Sequence, residues 1–327
     1  MAVGEWPKGM VEDRYDFLFE AYNQSQGKVD LLFEVRNPKD GMFDQVTTGI
    51  GMGQLVQKAT GDTSITFRAP TEGFTAFTAY RQFDDGLNLS RLTVERFPAN
   101  KVKDLVETSI RSWGSALRRT EETFGSALFR RGGFTAGHAD FSAVIAGLIN
   151  QQTDNLAYDA KPFFNKSDNT RTSKGGTTYY NAISAILSVA NYEALYELVF
   201  VTNAYDERDE QVDLKSMGQV VLVVPPQLRA EAFTVLEDEI LAGAPNEQKN
   251  PWYKTAVPVE WDFLKGNATA WYVGVAKQGI RYYRASKPEI RMWRDENNGD
   301  YKASIWCLMG WLAQNFRFWG ASNSPTS

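Results

Sequence analysis

The chain has 327 residues, of which 43% are hydrophobic and 23% are charged, which is typical of a folded globular protein. Its formal net charge is −5, so any contact with nucleic acid should be local and non-specific. One cysteine and one histidine exclude an intramolecular disulfide and a zinc site made of these residue types. No apolar run approaches the ~18 residues of a membrane helix, and no signal-peptide pattern opens the sequence. We therefore predict neither membrane insertion nor secretion.

The first 81 residues predict an arm followed by a β-hairpin. Residues 11–22 favour a short amphipathic helix, whose apolar side chains recur at helical spacing: Tyr15, Leu18, Phe19 and Tyr22. The glycines between positions 41 and 53 then predict a flexible stretch. Residues 62–81 alternate apolar and polar side chains around a turn at residues 69–73, which indicates a hairpin. An isolated two-stranded hairpin is marginally stable in water, so we expect it to pack on another element.

The strongest pattern in the sequence predicts a long helix over residues 99–131. Apolar residues recur mostly at steps of three and four from Val102 to Leu128, and Gly132-Gly133 end the pattern. At ~1.5 Å per residue the helix would be roughly 45–50 Å long, which suits the spine of an elongated domain. It carries seven basic and four acidic residues, so one face could meet a polyanion. A solvated face with ion pairs is the alternative.

The second half of the chain predicts a layered unit followed by an antiparallel β segment, so the fold class is α+β. We predict a helix over residues 178–200, a buried strand at Val220–Val224, and a helix from Pro225-Pro226 to Gly243. Further strands are predicted at residues 271–275, 280–284, 290–294 and 302–306, with a turn at 295–300. The last residues of the terminal FRFWGASNSPTS are expected to be disordered.

A search for catalytic constellations gives no nucleophile elbow and no P-loop. His138 with Asp140 could form a general base with an orienting carboxylate, although a surface histidine is the simpler interpretation. Cys307 lies in an apolar strand pattern and is interpreted as a small buried hydrophobe. One run of acids is either solvated or a divalent-ion site: Asp206, Glu207, Asp209 and Glu210. We predict no catalytic residue, metal or cofactor, but a hydrolase that uses carboxylates alone stays open, because sequence does not place acids in space.

Several motifs, in a fixed order, resemble those of a known family. They are YDAKPFF at residues 158–164 followed by Gly175-Gly176, LVVPPQL at 222–228, and Asn250-Pro251 followed by residues 257–261 and 269–272. Taken with the order of arm, hairpin, long helix, layered unit and closing β segment, they resemble the HK97-type fold of tailed-phage major capsid proteins. Within that group the chain looks like the Mu-like major head subunit family. The motifs cover most of residues 95–285, whereas the arm and hairpin match in kind only.

The resemblance implies a division of the chain into six segments. They are residues 1–60 as an N-terminal arm, 61–95 as the E-loop β-hairpin, 96–175 as the P-domain with its spine helix, 176–285 as the A-domain, 286–312 as closing strands of the P-domain, and 313–327 as a C-terminal segment. The arm and hairpin would reach over neighbouring subunits. The A-domain would meet its copies at fivefold and sixfold centres.

The resemblance also implies a function. The chain would be a major capsid protein that self-assembles as pentamers and hexamers into an icosahedral shell around the double-stranded DNA genome of a tailed phage. Such a shell forms in the host cytoplasm and becomes the virion capsid. The expected partners are further copies of the chain, a scaffold protein, a portal protein and packaged DNA held non-specifically, with a decoration protein as a further candidate and no membrane. An encapsulin-like protein compartment, which shares the fold, is the nearest alternative.

Two sets of residues are candidates for these contacts. For assembly contacts we select aromatic residues of the arm and hairpin: Tyr15, Phe19, Phe67, Phe74 and Phe77. The alternative is that they pack within their own domain. For contact with DNA we select basic residues of the long helix: Arg111, Arg118 and Arg119.

Overall fold

The computed structural model describes residues 13–38, 43–50, 71–134, 157, 159, 161–240 and 248–325. Its described α-helices are α1 Arg14–Asn23, α2 Val29–Leu32, α3 Arg91–Arg96, α4 Ala99–Arg131, α5 Val189–Glu197 and α6 Arg229–Leu236. Short 3-10 or π turns are Leu198–Thr202, Leu214–Met217, Pro226–Leu228, Asp262–Leu264 and Phe316–Phe318.

The described strands are β1 Glu34–Arg36, β2 Phe43–Ile50, β3 Thr71–Ala79, β4 Arg81–Leu89, β5 Arg171–Thr172, β6 Thr178–Tyr179, β7 Ala182–Ile183, β8 Val220–Val224, β9 Val257–Glu260, β10 Trp271–Val275, β11 Ile280–Arg284, β12 Glu289–Arg294, β13 Tyr301–Ala313 and β14 Trp319–Ser322. None of the helices described above is long and apolar enough to cross a membrane.

The long helix α4, here called the spine helix, confirms the prediction for residues 99–131. Pro98 precedes it, where the missing N–H costs nothing, and Gly132 follows its last residue. Its 33 residues make a rod of roughly 50 Å. Val102, Val106 and Ile110 are almost fully buried, as their spacing predicts for one face of an amphipathic helix.

The spine helix packs on a five-stranded sheet built around the long strand β13. Strand β4 pairs antiparallel with one side of β13, while β12 and β11 pair antiparallel with successive halves of its other side. Strand β1 adds to β11 in parallel. We predicted a strand at residues 302–306, but β13 has 13 residues: buried and half-buried residues alternate from Tyr301 to Met309, and residues 310–313 are all buried. The ring of Phe124 on the spine helix lies 6.0 Å from that of Trp311, which places the main core between helix and sheet.

A second five-stranded sheet has the order β7-β14-β10-β8-β9. Its strand β8, Val220–Val224, confirms the predicted buried strand. Val221 and Val223 face the core shared with the spine helix, whereas Leu222 and Val224 face a second core under α5 and α6. Since both faces of this sheet are covered, the interior strand β8 is apolar at every position rather than at alternate ones.

The described hairpin differs from the one predicted. We expected strands within residues 62–81 and a turn at 69–73, but residues 71–73 belong to β3, which pairs antiparallel with β2. Strand β2 covers residues 43–50, where glycines had predicted a flexible stretch; its β-branched Val46, Thr47, Thr48 and Ile50 favour an extended chain. The predicted strand at residues 62–68 lies outside the described residues.

Both predicted helices of the second unit are shorter than expected. Residues 178–183 contain the strands β6 and β7, and α5 begins only after Ser188, whose side chain accepts a hydrogen bond from the Asn191 N–H. Helix α6 ends at Leu236 instead of Gly243, which lies outside the described residues. The predicted turn at residues 295–300 is confirmed, with Gly299 at φ +73°.

The C-terminal segment is packed as far as the structure describes it, which is to Pro325. Strand β14 lies between β7 and β10, and Trp319 and Ser322 are fully buried. Residues 326 and 327 lie outside the described part. Sheet pairing also crosses two predicted boundaries: β11, predicted in the A-domain, pairs with β13, whereas β14, predicted in the C-terminal segment, pairs with β10.

Candidate assembly surfaces

The β2–β3 hairpin is attached to the rest of the chain at its base. Ala76 and Tyr80 pack with Tyr283 and Leu312 on the face of the β13 sheet opposite the spine helix. The Thr78 hydroxyl donates a hydrogen bond of 2.9 Å to a β13 carbonyl. A nine-residue strand at ~3.3 Å per residue is roughly 30 Å long, so the Thr71 end of β3 lies far from this base.

The structure describes the hairpin candidates only in part. Phe67 lies outside the described residues, and of Phe74 and Phe77 only the backbone, within β3, is described. Their role in assembly stays a prediction.

The two arm candidates lie side by side on α1 in different environments. The Tyr15 hydroxyl accepts a hydrogen bond of 3.2 Å from the backbone N–H of Ile290, so this ring is anchored on its own sheet. Phe19 is 38% exposed. Both line an open hollow whose opposite wall is formed by residues 287–289. Of the two, Phe19 therefore offers the surface that a neighbour can cover.

A buried charge cluster ties the N-terminal segment to the spine helix. The Glu121 carboxylate accepts hydrogen bonds from Arg284 Nε at 2.9 Å and Nη2 at 3.0 Å, and from the Tyr22 hydroxyl at 2.6 Å. Asp30 lies 2.9 Å from Arg118 Nη1 and 2.8 Å from Arg284 Nη2. Burial, together with the charge of Glu121, raises the pKa of the Tyr22 hydroxyl. The cluster therefore keeps its charges paired within the chain.

The three arginines selected for contact with DNA differ in their burial and in their ion pairs. Arg118 is 8% exposed and stacks 3.9 Å from the centre of the Tyr22 ring, so we remove it from the candidates. Arg111 is half-buried and pairs with Glu20 at 2.7 Å and Glu107 at 3.0 Å. Arg119 is exposed and forms no ion pair among the described residues.

The acids of the 206–210 loop make structural contacts within the chain. The Asp209 carboxylate accepts hydrogen bonds of 2.7 Å from the hydroxyl groups of Ser173 and Tyr179. The backbone N–H of Thr177 donates to the same carboxylate at 3.2 Å. Burial would raise the pKa of this carboxyl, but the hydrogen bonds hold it below its ordinary value. Asp209 therefore fixes the 173–179 hairpin.

The other acids of this loop are also engaged. Asp206 Oδ1 accepts hydrogen bonds from the backbone N–H groups of Arg208 and Glu210 at 2.8 and 2.9 Å. Glu207 forms a buried ion pair with Arg317. Within the described ranges no group of three or more histidine, cysteine or acidic residues could hold a metal ion. His138 and Asp140 lie outside those ranges.

The single cysteine matches its interpretation as a small buried hydrophobe. Cys307 is 4% exposed, and burial, helped by the charges of Glu121 and Asp84, raises the pKa of its thiol to about 12. Because the thiolate is the reactive form, we expect alkylation at pH ~8 to be on the order of a thousandfold slower in the folded chain than in urea. Mass-spectrometric labelling rates test this; rates within about tenfold of each other would contradict the burial of the thiol.

Several large apolar side chains that were not among the predicted contact residues are exposed. They are at least 42% exposed: Leu92, Phe97, Leu105, Ile186, Val201, Met217, Phe233, Ile240, Val257 and Trp293. Leu105 carried a usable signal, because it is adjacent to Val106 and so lies off the buried stripe of the spine helix. The others gave none, since exposure depends on which face a neighbouring element covers.

The described architecture is that of HK97-type capsid subunits: a spine helix on one sheet, a second sheet covered on both faces, and a hairpin attached by its base. Similar solved structures include the capsid of cyanophage P-SCSP1u, at 12% identity and TM-score 0.52 over 92% of this chain and 89% of that one. The mature capsid of bacteriophage PhiM1 matches at 10% identity and TM-score 0.53, over 91% and 87% of the two chains. A virus-like particle from Pyrococcus furiosus matches at 8% and TM-score 0.50, over 96% and 99%.

The sequence itself identifies the family. A family model described as phage capsid protein matches residues 99–321, more than half of the chain, so the chain belongs to the phage capsid protein family. Comparison with curated proteins gives no significant match. The chain is thus a capsid shell protein, whose functional surfaces are those that contact other subunits.

Proposed function

We propose that this chain is the major head subunit of a tailed phage, which assembles as pentamers and hexamers into an icosahedral shell around double-stranded DNA. The observation that carries this proposal is the match of the phage capsid protein family to residues 99–321. The exposed apolar residues support it, because a closed shell repeats heterologous contacts that cover such surfaces.

The proposed division of labour follows the two sheets. The spine helix and the β13 sheet would form the peripheral unit, and the β8–β10 sheet with α5 and α6 the axial unit at the fivefold and sixfold centres. Ile186 and Val201 on one side of the axial unit, and Phe233 and Val257 on the other, support this arrangement by their exposure. Phe19, Phe67, Phe74 and Phe77 remain proposed contacts of the arm and hairpin.

We further propose that assembly occurs in the host cytoplasm with a scaffold and a portal protein, and that the chain has no catalytic activity. The engagement of Asp206, Glu207 and Asp209 in structural contacts supports the second point. The finer resemblance to Mu-like major head subunits rests on the motifs at residues 158–164 and 222–228 and stays a prediction. A decoration protein is a further proposed partner.

The contents of the shell distinguish a phage head from an encapsulin-like compartment. The full chain would be expressed with its neighbouring head genes, and the particles treated with nuclease before extraction. A phage head is expected to protect double-stranded DNA of uniform length. Particles that protect a cargo protein and no DNA would contradict the proposal and support the compartment.

Replacing Arg119 with glutamate is expected to weaken non-specific binding of double-stranded DNA without unfolding the chain. Because Arg119 is exposed and unpaired among the described residues, the slope of log K against log salt should fall by about 1. Arg291→Glu is the control, since Arg291 is exposed on the sheet face opposite the spine helix. Fluorescence anisotropy at several salt concentrations measures the slope. Equal slopes for wild type and Arg119→Glu would remove Arg119 from the DNA-facing surface.

A further inference from the structure

The short helix α3 presents an apolar and basic surface that its own chain does not cover. None of its six residues is buried, and Leu92 is 62% exposed. Its position is nevertheless fixed. The Ser90 side chain caps its N-terminus by accepting a hydrogen bond from the Thr93 N–H. The Arg91 N–H donates a hydrogen bond of 2.9 Å to the Asp300 carboxylate. A fixed helix with no buried side chain is suited to contact with another molecule.

Leu92 and Arg96 form one recognition face on this helix. They are four residues apart, so they lie on the same side of the helix. Arg96 is exposed and makes no ion pair among the described residues, whereas Arg91 pairs with Glu95 at 2.6 Å. Phe97, 51% exposed, extends the apolar part of the face. The partner of this face should therefore offer a small apolar hollow beside a negative charge.

The same chain carries such a hollow at the edge of strand β4. A cavity of about 70 Å³ opens between β4 and the spine helix, with Phe83, Leu117 and Ile305 among its apolar lining. A cavity of ~150 Å³ holds benzene, so a space half as large suits a branched aliphatic side chain. Asp84 and Asp85 lie at this hollow, and in the described part of the chain β4 pairs with β13 alone, which leaves its other edge open.

The two acids at the hollow differ in availability. Asp85 Oδ2 already accepts a hydrogen bond of 2.9 Å from Trp113 Nε1, and its Oδ1 accepts one from the Gly86 N–H. Asp84 is exposed and makes no ion pair among the described residues. It is therefore the carboxylate that can meet an incoming cation.

We propose that the hollow of one subunit receives the α3 face of a second copy, with Leu92 in the cavity and Arg96 paired with Asp84. The complementary size and charge of the two surfaces carry the proposal, which rests on the proposed shell function. A subunit does not fill its own hollow. Asp84 and Leu89 are five residue steps apart in an extended strand, at ~3.3 Å a step, which places α3 more than roughly 16 Å away. Two different surfaces that fit each other give a heterologous contact, which repeats from copy to copy.

Charge exchange between the two surfaces tests the contact. The full chain would be expressed with its head genes in four forms: wild type, Arg96→Asp, Asp84→Arg and the double variant Arg96→Asp/Asp84→Arg. The fraction of the subunit that sediments as closed shells, here called the shell fraction, would be measured for each. Each single reversal is expected to reduce the shell fraction at least about tenfold, and the double variant to return within about threefold of wild type. Leu92→Ser should reduce shells as the single reversals do. Arg291→Glu, a reversal of an exposed arginine on β12, is the matched control and should assemble, and circular dichroism verifies folding of each variant.

The outcomes separate this contact from the proposed function. Wild-type shells together with single reversals that assemble like Arg291→Glu would overturn the contact and leave the shell function intact. Folded single variants that fail to assemble, with a double variant that fails equally, would show that the two surfaces do not meet each other. Absence of shells from wild type itself would overturn the proposed function, and the contact with it.

Discussion

Replacing Glu121 with leucine is expected to lower the free energy of unfolding by about 3–5 kcal/mol, because Arg118 and Arg284 lose their buried counter-ion and keep only Asp30, whose side chain is 41% exposed. The Glu121 side chain is 4% exposed and those of Arg118 and Arg284 are 10% and 26% exposed, so water replaces little of the lost interaction. Tyr22 also loses the acceptor of its hydroxyl group. Urea unfolding of the unassembled subunit, followed by circular dichroism, measures the change.

The matched control is Glu107→Leu on the same helix. Glu107 pairs with Arg111, and both side chains are about a third exposed, so this substitution should cost about 1 kcal/mol or less. If Glu121→Leu lowers the free energy of unfolding no more than Glu107→Leu does, the charge cluster around Glu121 is solvated and does not hold the N-terminal segment on the spine helix.

Replacing Phe129 with alanine is expected to lower the free energy of unfolding by about 3–5 kcal/mol, which is typical of a large aromatic residue deleted from a core. Phe129 is fully buried near the C-terminal end of the spine helix. Its ring centre lies 5.2–6.1 Å from five other aromatic rings: Phe33, Phe164, Trp261, Tyr272 and Trp319. These rings come from segments far apart in sequence, so the deletion should weaken the packing of the two sheets on the helix together.

The control for this substitution is Phe233→Ala, because Phe233 is 44% exposed in the isolated subunit. It should lower the free energy of unfolding, measured by urea titration, by less than about 1 kcal/mol. Equal effects of the two substitutions would show that Phe129 is not at the centre of the core.

The elements that sequence predicted well are those with a local signal. The spine helix has a long apolar stripe, a proline before it and a glycine after it, and its bounds agree with the prediction. Strand β8 is a short β-branched run, and its burial on both faces agrees as well. In both cases neighbouring residues decide the structure.

The elements that sequence missed depend on distant partners. Strand β14 is short and was not predicted, yet it pairs with β10, where a Cβ on Gly274 would lie 2.4 Å from the Trp319 ring. The close packing of Gly274 against Trp319 depends on both residues, so it cannot be predicted from either position alone. Strand β2 was missed in the same way, since its partner β3 begins 21 residues after β2 ends.

The candidate surfaces show the same limit at the level of single side chains. Arg118 and Arg119 are adjacent in sequence, but successive residues of a helix point about 100° apart. The N-terminal segment covers the face that carries Arg118, while Arg119 remains exposed. The sequence predicts that one face of the spine helix is basic, but only the packing of α1 and α2 decides which arginine stays available.

The most direct test of the account is negative-stain electron microscopy of the purified chain, alone and after co-expression with its head genes. We expect closed angular shells or rings of capsomers in at least one of these conditions, because the chain carries exposed apolar and charged surfaces that only other copies cover. A monodisperse monomer in every condition, including with scaffold protein present, would contradict it and favour the carboxylate-based hydrolase.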